Sequence, residues 1–567
     1  MIPTGTPVPR TAKLPVVFVN GYEYNCAAAS FSHTFGVADQ VLQANGQTSL
    51  FFNYCDVPGM PNIETLAAVF AGFLSGLRYQ DGQSVDTVDV VAHSMGGLIV
   101  RSYLSGKQSA SGVFSPPSAT HIRKIVFLGT PHFGTGITMG LAFTPELEEL
   151  SSGSRFLFDL GTWNQGSDDL RGSEAIAVIG NGGTGLATTQ GFDDGVVALT
   201  SASLGFYMPG RTRVLPLCHV DGGGLLSIAL FCGPNTNGIA HIHAATEDLA
   251  RTVVSFLNGT VDWKNIGTAA EQNALLAVNG GIYVTVRNAS DANLRTDSVT
   301  AASLGKTKQL NLSSNDVAYT DMFTAGPATL TAIAGSQQVS ENLTLPAAAV
   351  DPIVLKPGPA IARVFPAASA VFPLSVAPGM IVSIYGRSLG TQGDAQVLLG
   401  SSQQLSLYYA AADQINAVMP ESASGLVKLT VQNSAGKNTV NLLVEAAIPA
   451  IFTQDGSGKG AAYAVNASTG ALVTAGSPLH AGDYMVLALT GLGATQTING
   501  LDYAKQQPTV TIGGKDCPVT YAGRIPGFPG LDQINCIVPT GISPNSAAPV
   551  VVTSGTRASN SVTVAVQ

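Results

Sequence analysis

Apolar positions in the first 262 residues follow two alternating rhythms. Short, unbroken, largely β-branched runs occur at "LPVVFVN" (14–20), "TSLFFNYC" (48–55), "VDTVDVVA" (85–92), "IRKIVFLGT" (122–130), "EAIAVIGN" (174–181) and "TRVLPL" (212–217). Runs of this kind predict strands buried on both faces, as in a parallel sheet. Between them, "IETLAAVFAGFLSGL" (63–77) and "GGLIVRSYLSG" (96–106) have helical spacing, and "ATEDLARTVVSFLNG" (245–259) closes the series with Gly259 placed to cap a helix. The alternation predicts an α/β domain over 1–262, a mostly parallel sheet covered by helices. "TPELEELSSGSRFLFDLGTW" (144–163) predicts one or two helices after the fourth strand. Its Phe156, Leu157, Phe158 and Trp163 are candidates either for capping a cleft or for core packing.

After "GTVDWKNIG" the rhythm changes. Residues 263–357 read as a β-rich accessory domain, with short strands such as "GIYVTVRNAS" and "PATLTAIAG" and a short helical stretch near 268–277. "LPAAAVDPIVLKPGPA" (345–360) reads as a semi-rigid linker. The remainder is an internal repeat: "PGMIVSIYGRSLG" (378–390) matches "AGDYMVLALTGLG" (481–493), and "DQINAVMP" (413–420) matches "DQINCIVP" (532–539). The offset grows from 103 residues at Gly379 and Gly482 to 119 at Asp413 and Asp532, so the second copy carries an insertion. Two immunoglobulin-like β-sandwich modules, 358–446 and 447–567, fit this strand spacing.

Charge narrows the partners. With 27 basic and 36 acidic residues the net charge is −9, and no Lys/Arg cluster occurs, which argues against nucleic acid and anionic membrane surfaces. No apolar run approaches the ~18–20 residues of a membrane span. The opening "MIPTGTPVPRTAK" lacks the apolar centre of a signal peptide, so the compartment is read from the cysteines. Six occur, at 26, 55, 218, 232, 517 and 536, with no C-x-x-C motif. Their order suggests pairs 26–55, 218–232 and 517–536. In the aligned repeat Cys517 and Cys536 face Gln404 and Ala417, so both are present in one copy and absent from the other. This pattern predicts an oxidised, exported protein.

The strongest chemical signal is "VDVVAHSMGGLIV", an apolar strand, a sharp turn at Ser94 and a helix. That context suits a nucleophile elbow, in which small neighbours permit a strained turn and close strand–helix packing. An oxyanion needs two donors: the amide of Met95, after the nucleophile, and one from the loop after the first strand, where Gly21 makes Tyr22 the candidate. "GFDDGVVALTSA" supplies Asp193 and Asp194 for the acid. For the base, His219 lies just past the last strand, while His241 and His243 precede the final helix and remain alternatives. His241-x-His243 with Glu247 or Asp248 is a weak metal pattern, because two histidines do not make a zinc site. No metal and no organic cofactor is expected. His132 is a candidate cleft residue or a hydrogen-bonded loop histidine.

"VVFVNGY", "VDVVAHSMGGLIVRSYL", "FLGTPHFGT" and "DDGVVALTSA" together resemble α/β-hydrolase lipases and esterases of the bacterial class 2 and PGAP1-like kind, in that family's order across 14 to about 258. The family has His-Gly where this chain has Asn20-Gly21. The resemblance implies an α/β-hydrolase fold with Ser94 as nucleophile, Asp194 as acid, and Met95 and Tyr22 at the oxyanion hole. It also favours the short acid-to-base spacing that selects His219. The duplicated "DQIN…P" module resembles IPT/TIG-like C-terminal domains of exported bacterial proteins. The implied function is an exported serine hydrolase of carboxylic esters, lipid or polyester, using a Ser-His-Asp triad. Its β-modules would bind an unidentified surface or polymer. An acyltransferase or amidase with the same triad, or a non-catalytic surface-binding protein, are the rivals.

Overall fold

A computed structural model describes residues 7–23, 31–55, 57–59, 61–136, 144–163, 170–184, 192–206, 208, 210–221, 232, 236–267, 280–369 and 375–567. The chain forms two compact units. One gathers the described residues up to Arg287 together with Asn293–Leu355; the other joins Asn288–Ala292 to Lys356–Gln567.

The first unit is built on six parallel strands: β1 (Val16–Val19), β2 (Ser49–Phe52), β3 (Val88–His93), β4 (Ile122–Leu128), β5 (Glu174–Gly180) and β6 (Thr212–Leu215). Their spatial order is β2-β1-β3-β4-β5-β6. Every residue of β1, β2 and β3 is buried, which is why these strands appear in the sequence as continuous apolar runs. The chain first builds outward from β1 to β2, then returns to place β3 on the other side. In open α/β sheets, ligands bind where the direction of building reverses, at the strands' carboxyl ends. Here that point lies between the ends of β1 and β3.

Among the described residues eight α-helices accompany the sheet: α1 (Phe31–Phe35), α2 (Ala38–Ala44), α3 (Ile63–Gly76), α4 (Met95–Ser105), α5 (Pro145–Leu150), α6 (Arg155–Thr162), α7 (Leu199–Ala202) and α8 (Asp248–Leu257). The Asn62 side chain accepts from the Thr65 N–H and caps α3. Gly259, directly after the Asn258 C-cap of α8, has φ +78°, the left-handed conformation expected just beyond a helix C-terminus. Phe18, Phe31, Phe35 and Val253 share one core, so α1, α2 and α8 cover one face. This strand order, with the loops described below, is the α/β-hydrolase fold.

A two-sheet β-sandwich completes this unit, with strands over Gly280–Arg287, Ser298–Ser303, Ala318–Phe323, Gly326–Ala334 and Gln337–Leu345. The segment read as a linker departs from expectation: Val350–Leu355 is a strand, parallel to Gly280–Arg287. Alternate apolar residues let it close the sandwich, with Ile353 and Leu355 buried in its core. Pro352 is tolerated because its strand pairs along one side alone. Phe158 of α6 packs with Phe133, Tyr283, Val350 and Val354, and Phe156, Leu157 and Trp163 are also buried. These side chains form core rather than a cap over the cleft. The helical stretch near 268–277 lies outside the described residues.

The second unit holds the repeat as β-sandwich, immunoglobulin-like modules. Ile381–Arg387 pairs antiparallel with Gln414–Val418, and Tyr484–Thr490 pairs likewise with Asp532–Ile537. The growing offset has a structural cause: Thr495–Ile498 and Leu501–Ala504 form a hairpin ahead of Thr509–Ile512, the counterpart of Gln396–Leu399. Cys517 and Cys536 are bonded, with Cα atoms 5.7 Å apart, as are Cys218 and Cys232 in the first unit at 6.2 Å. The expected partner of Cys55, Cys26, lies outside the described residues. Among those residues, no helix is long and apolar enough to cross a membrane.

Candidate active site

The turn after β3 places Ser94 at φ +53°, ψ −129°, a conformation that L-residues rarely adopt. Close packing makes room for it. A Cβ on Gly96 would sit 2.4 Å from the Val19 carbonyl oxygen and 2.5 Å from that of Asn20; one on Gly97 would meet the Thr130 hydroxyl at 2.1 Å. Gly96 therefore lets α4 start directly against the end of β1, and Gly97 lets it approach Phe127 and Thr130 at the end of β4. The Ser94 N–H donates to the Leu128 carbonyl at 2.9 Å, anchoring the turn to β4.

Three loops converge on this serine. His219 Nε2 lies 2.9 Å from Ser94 Oγ, and His219 Nδ1 lies 2.7 Å from Asp194 Oδ2. A carboxylate only accepts, so Nδ1 carries the proton and Nε2 is left to accept from the serine hydroxyl. Asp194 Oδ1 accepts from the Val196 and Val197 N–H groups at 3.0 and 2.7 Å, which fixes the carboxylate. Asp193 instead accepts the Gly195 N–H and shapes the turn. Gly129, at φ +55°, is a necessary gap: a Cβ there would lie 3.0 Å from Asp194 Oδ2 and 3.1 Å from His219 Nδ1. His219 and Asp194 are both buried.

The loop carrying His219 is held from several sides. The His219 N–H donates to the Asp194 carbonyl at 2.7 Å, and Cys218 exchanges backbone bonds with Asn237 and Ile239. The Cys218–Cys232 bridge reaches over the loop carrying Asp194, its Cys232 sulfur 3.2 Å from the Asp194 carbonyl oxygen. His241 and His243 do not approach this line; both face Asp221. The apolar residues between the two cysteines, 222–231, lie outside the described set.

Two residues given no role in the sequence analysis, His93 and Asn20, support the site. His93 Nε2–H donates to the His219 carbonyl at 3.1 Å, and the two rings lie 4.8 Å apart. Burial, and then the neighbouring His219, hold the His93 pKa well below its ordinary value, so it remains neutral. The signal was its place in the elbow, immediately before Ser94. Asn20 Oδ1 accepts the Gly21 N–H at 2.8 Å, and its amide donates to Glu23. The Tyr54 hydroxyl donates to the Gly21 carbonyl. Burial, then Glu23, raises the Tyr54 pKa, so the phenol keeps its proton for that bond. Gly21 sits where a Cβ would be 2.7 Å from Ser94 Cβ. The loop carrying Tyr22 is thereby braced beside the serine. Met95 is the first residue of α4, where the amide has no acceptor within the helix.

His132 is a core residue. It is fully buried, its Nδ1 lies 3.4 Å from Arg101 Nη1, and its ring packs on Phe127 and Phe206. Burial, then Arg101, lowers its pKa.

Residues 366–445 match the IPT/TIG family model. This stretch is an IPT/TIG domain. No curated protein sequence matches the chain. Among solved structures, phospholipase PlaB from Legionella pneumophila in complex with thio-NAD is similar at 15% identity, covering 60% of this chain and 93% of that one with a TM-score of 0.43. A second PlaB structure gives 14%, 61%, 94% and 0.42. The mixed-linkage glucan utilization locus protein SGBP-B of Bacteroides ovatus, bound to a heptasaccharide, gives 14%, 50%, 64% and 0.21.

Proposed function

We propose that the protein is an exported serine hydrolase that cleaves carboxylic esters through an acyl-enzyme. The observation that carries this reading is the hydrogen-bonded line Ser94 Oγ–His219 Nε2/Nδ1–Asp194 Oδ2 at the topological reversal of the sheet. Ser94 attacks the ester carbonyl while His219 takes its proton. Asp194 keeps the imidazole in the right tautomer and stabilises the imidazolium that forms. The amides of Met95 and Tyr22 are the donors assigned to the tetrahedral oxyanion. His219 returns the proton to the leaving alcohol, and a water, deprotonated by the same histidine, releases the acid.

Lipid and polyester esters are the candidate substrate classes. The Cys218–Cys232 and Cys517–Cys536 bridges support an oxidising compartment. The β-modules are assigned the role of holding the catalytic unit at a surface or polymer.

The test is turnover of p-nitrophenyl esters of graded acyl length. Wild type is expected to hydrolyse them, and Ser94→Ala and His219→Ala to lose ~10⁴–10⁶ in kcat while remaining folded. Activity that survives His219→Ala but is lost in His241→Ala or His243→Ala would overturn the assignment of the base. Preference for an added alcohol over water would favour acyl transfer.

A further inference from the structure

His241 and His243 are not used by the proposed reaction, yet the fold brings them onto one carboxylate. His243 Nε2 lies 3.2 Å from Asp221 Oδ1, and His241 Nδ1 lies 3.5 Å from Asp221 Oδ2. Their rings are 4.5 Å apart and tilted by 33°. One donor atom from each of the three residues falls within 4.8 Å of the others, and among the described residues this is the one such cluster. We propose that Asp221, His241 and His243 bind a divalent transition-metal ion, with Zn²⁺ the best match to the donors.

The spacing of the three donors suits a metal ion. Zinc–nitrogen and zinc–oxygen bonds of ~2.0–2.1 Å at tetrahedral angles leave neighbouring ligand atoms about 3.3–3.4 Å apart. The two nitrogen–oxygen separations, 3.2 Å to Oδ1 and 3.5 Å to Oδ2 of the one carboxylate, lie close to that edge. Two imidazoles and one carboxylate suit zinc or its first-row neighbours and are a poor set for calcium or magnesium, which prefer oxygen. The ligands are also oriented from behind. The Gly238 N–H donates to Asp221 Oδ1 at 2.5 Å, and the His243 N–H donates to Glu247 Oε1 at 2.8 Å. His241 Nδ1 additionally lies 3.2 Å from the His33 carbonyl oxygen, the acceptor for its proton when no metal is bound. Gly36 leaves the space this ring needs, since a Cβ there would sit 2.6 Å from His241 Cδ2. The Gly238 bond orients the carboxylate, and the Glu247 bond holds the His243 backbone. The three side chains are 27–39% exposed, so solvent water completes the coordination.

Asp221 stands two residues beyond His219, on the same loop. His241 and His243 flank Ile242, whose carbonyl accepts the Val37 N–H at the start of α2. A bound ion would therefore clamp the base-bearing loop to the segment before α8 and, through it, to α2. The ion has a structural role here, and no reaction step passes through it.

The experiment uses the full chain without an affinity tag, stripped with chelator and titrated with Zn²⁺ by calorimetry. Co²⁺ absorption provides a second readout of the ligand field. One equivalent is expected to bind with a rise in melting temperature. His243→Ala and Asp221→Asn are each expected to weaken binding at least about tenfold. Asp221→Asn retains an oxygen for the Gly238 N–H, so it tests coordination rather than loop folding. Absence of saturable uptake by the wild type, or equal uptake by both variants, would overturn the proposal and leave a hydrogen-bonded cluster. Neither readout depends on ester hydrolysis, so this test fails or succeeds independently of the proposed reaction.

Discussion

Gly96 is where a single methyl group should separate catalysis from simple stability. A Cβ added there meets backbone: the Val19 oxygen at 2.4 Å, the Asn20 oxygen at 2.5 Å and the Val19 carbonyl carbon at 2.9 Å. Ordinary contact begins near 3.4 Å, so the first turn of α4 must retreat from β1 by about 1 Å. Ser94 and Met95 lie at that end of the helix, and Asn20 leads into the loop carrying Tyr22. The substitution thus moves Ser94 away from the amides proposed as oxyanion donors. Overpacking of this kind costs about 1–3 kcal/mol of stability, and a displacement of ~1 Å costs ~10² in rate. Gly97→Ala makes a different clash, against the Thr130 side chain at 2.1 and 2.6 Å and the Phe127 ring at 2.8 Å. Adding Thr130→Ala removes most of it. The assay is kcat/KM on a soluble ester alongside the melting temperature. Gly96→Ala should lose about a hundredfold with no rescue from Thr130→Ala, whereas Gly97→Ala should recover in the double variant. A Gly96→Ala enzyme within twofold of wild type would refute the claim that this approach positions the site.

Asp194→Asn should lower kcat by ~10⁴, since the amide no longer selects the imidazole tautomer, while Asp193→Asn should cost less than about tenfold because its carboxylate only shapes a turn; equal losses in steady-state kinetics would count against the assignment. Glu149, whose Oε2 accepts the Ile63 N–H, is pushed up to about 9 by burial and then by Glu64. Its folded pKa exceeds the unfolded value, so its contribution to stability is complete at acid pH and drains away as pH rises toward 9. Glu149→Gln should therefore gain melting temperature over wild type progressively between pH 5 and 9, and a constant difference would contradict this. Removing the Cys218–Cys232 bridge as a double alanine variant should destabilise the first unit by about 3 kcal/mol. Its calorimetric transition should fall by several degrees, and an unchanged transition would show that the loop is held without the bridge.

The six strands of the sheet were legible because burial on both faces removes polar alternation, leaving runs such as "VVFV" with no competing reading. Ser94 was legible for a related reason: Gly96 and Gly97 record the closeness of α4 to β1 and to Thr130. Other features depend on proximity that the sequence does not encode locally. Helices α1 and α2, of five and seven residues, are too short to display a period. Asp221 precedes His241 by twenty positions, and the two meet because Cys218 pairs with Gly238 across the intervening loop. Locally the sequence offers two histidines with Glu247 and Asp248 nearby, and the third donor lies on another segment. The linker reading of 345–360 failed because Pro and Ala outweighed the alternation that makes Val350–Leu355 a strand. The hairpin over 495–504 was visible only as a change of offset.

The central claim is that Ser94 is an activated nucleophile beside His219. The most direct measurement is labelling with a fluorophosphonate, read by intact mass and peptide mapping. The account expects one equivalent on the peptide containing Ser94, abolished by Ser94→Ala and strongly slowed by His219→Ala. Folded wild type that takes up no label, or takes it up at another residue while Ser94 stays free, would contradict it.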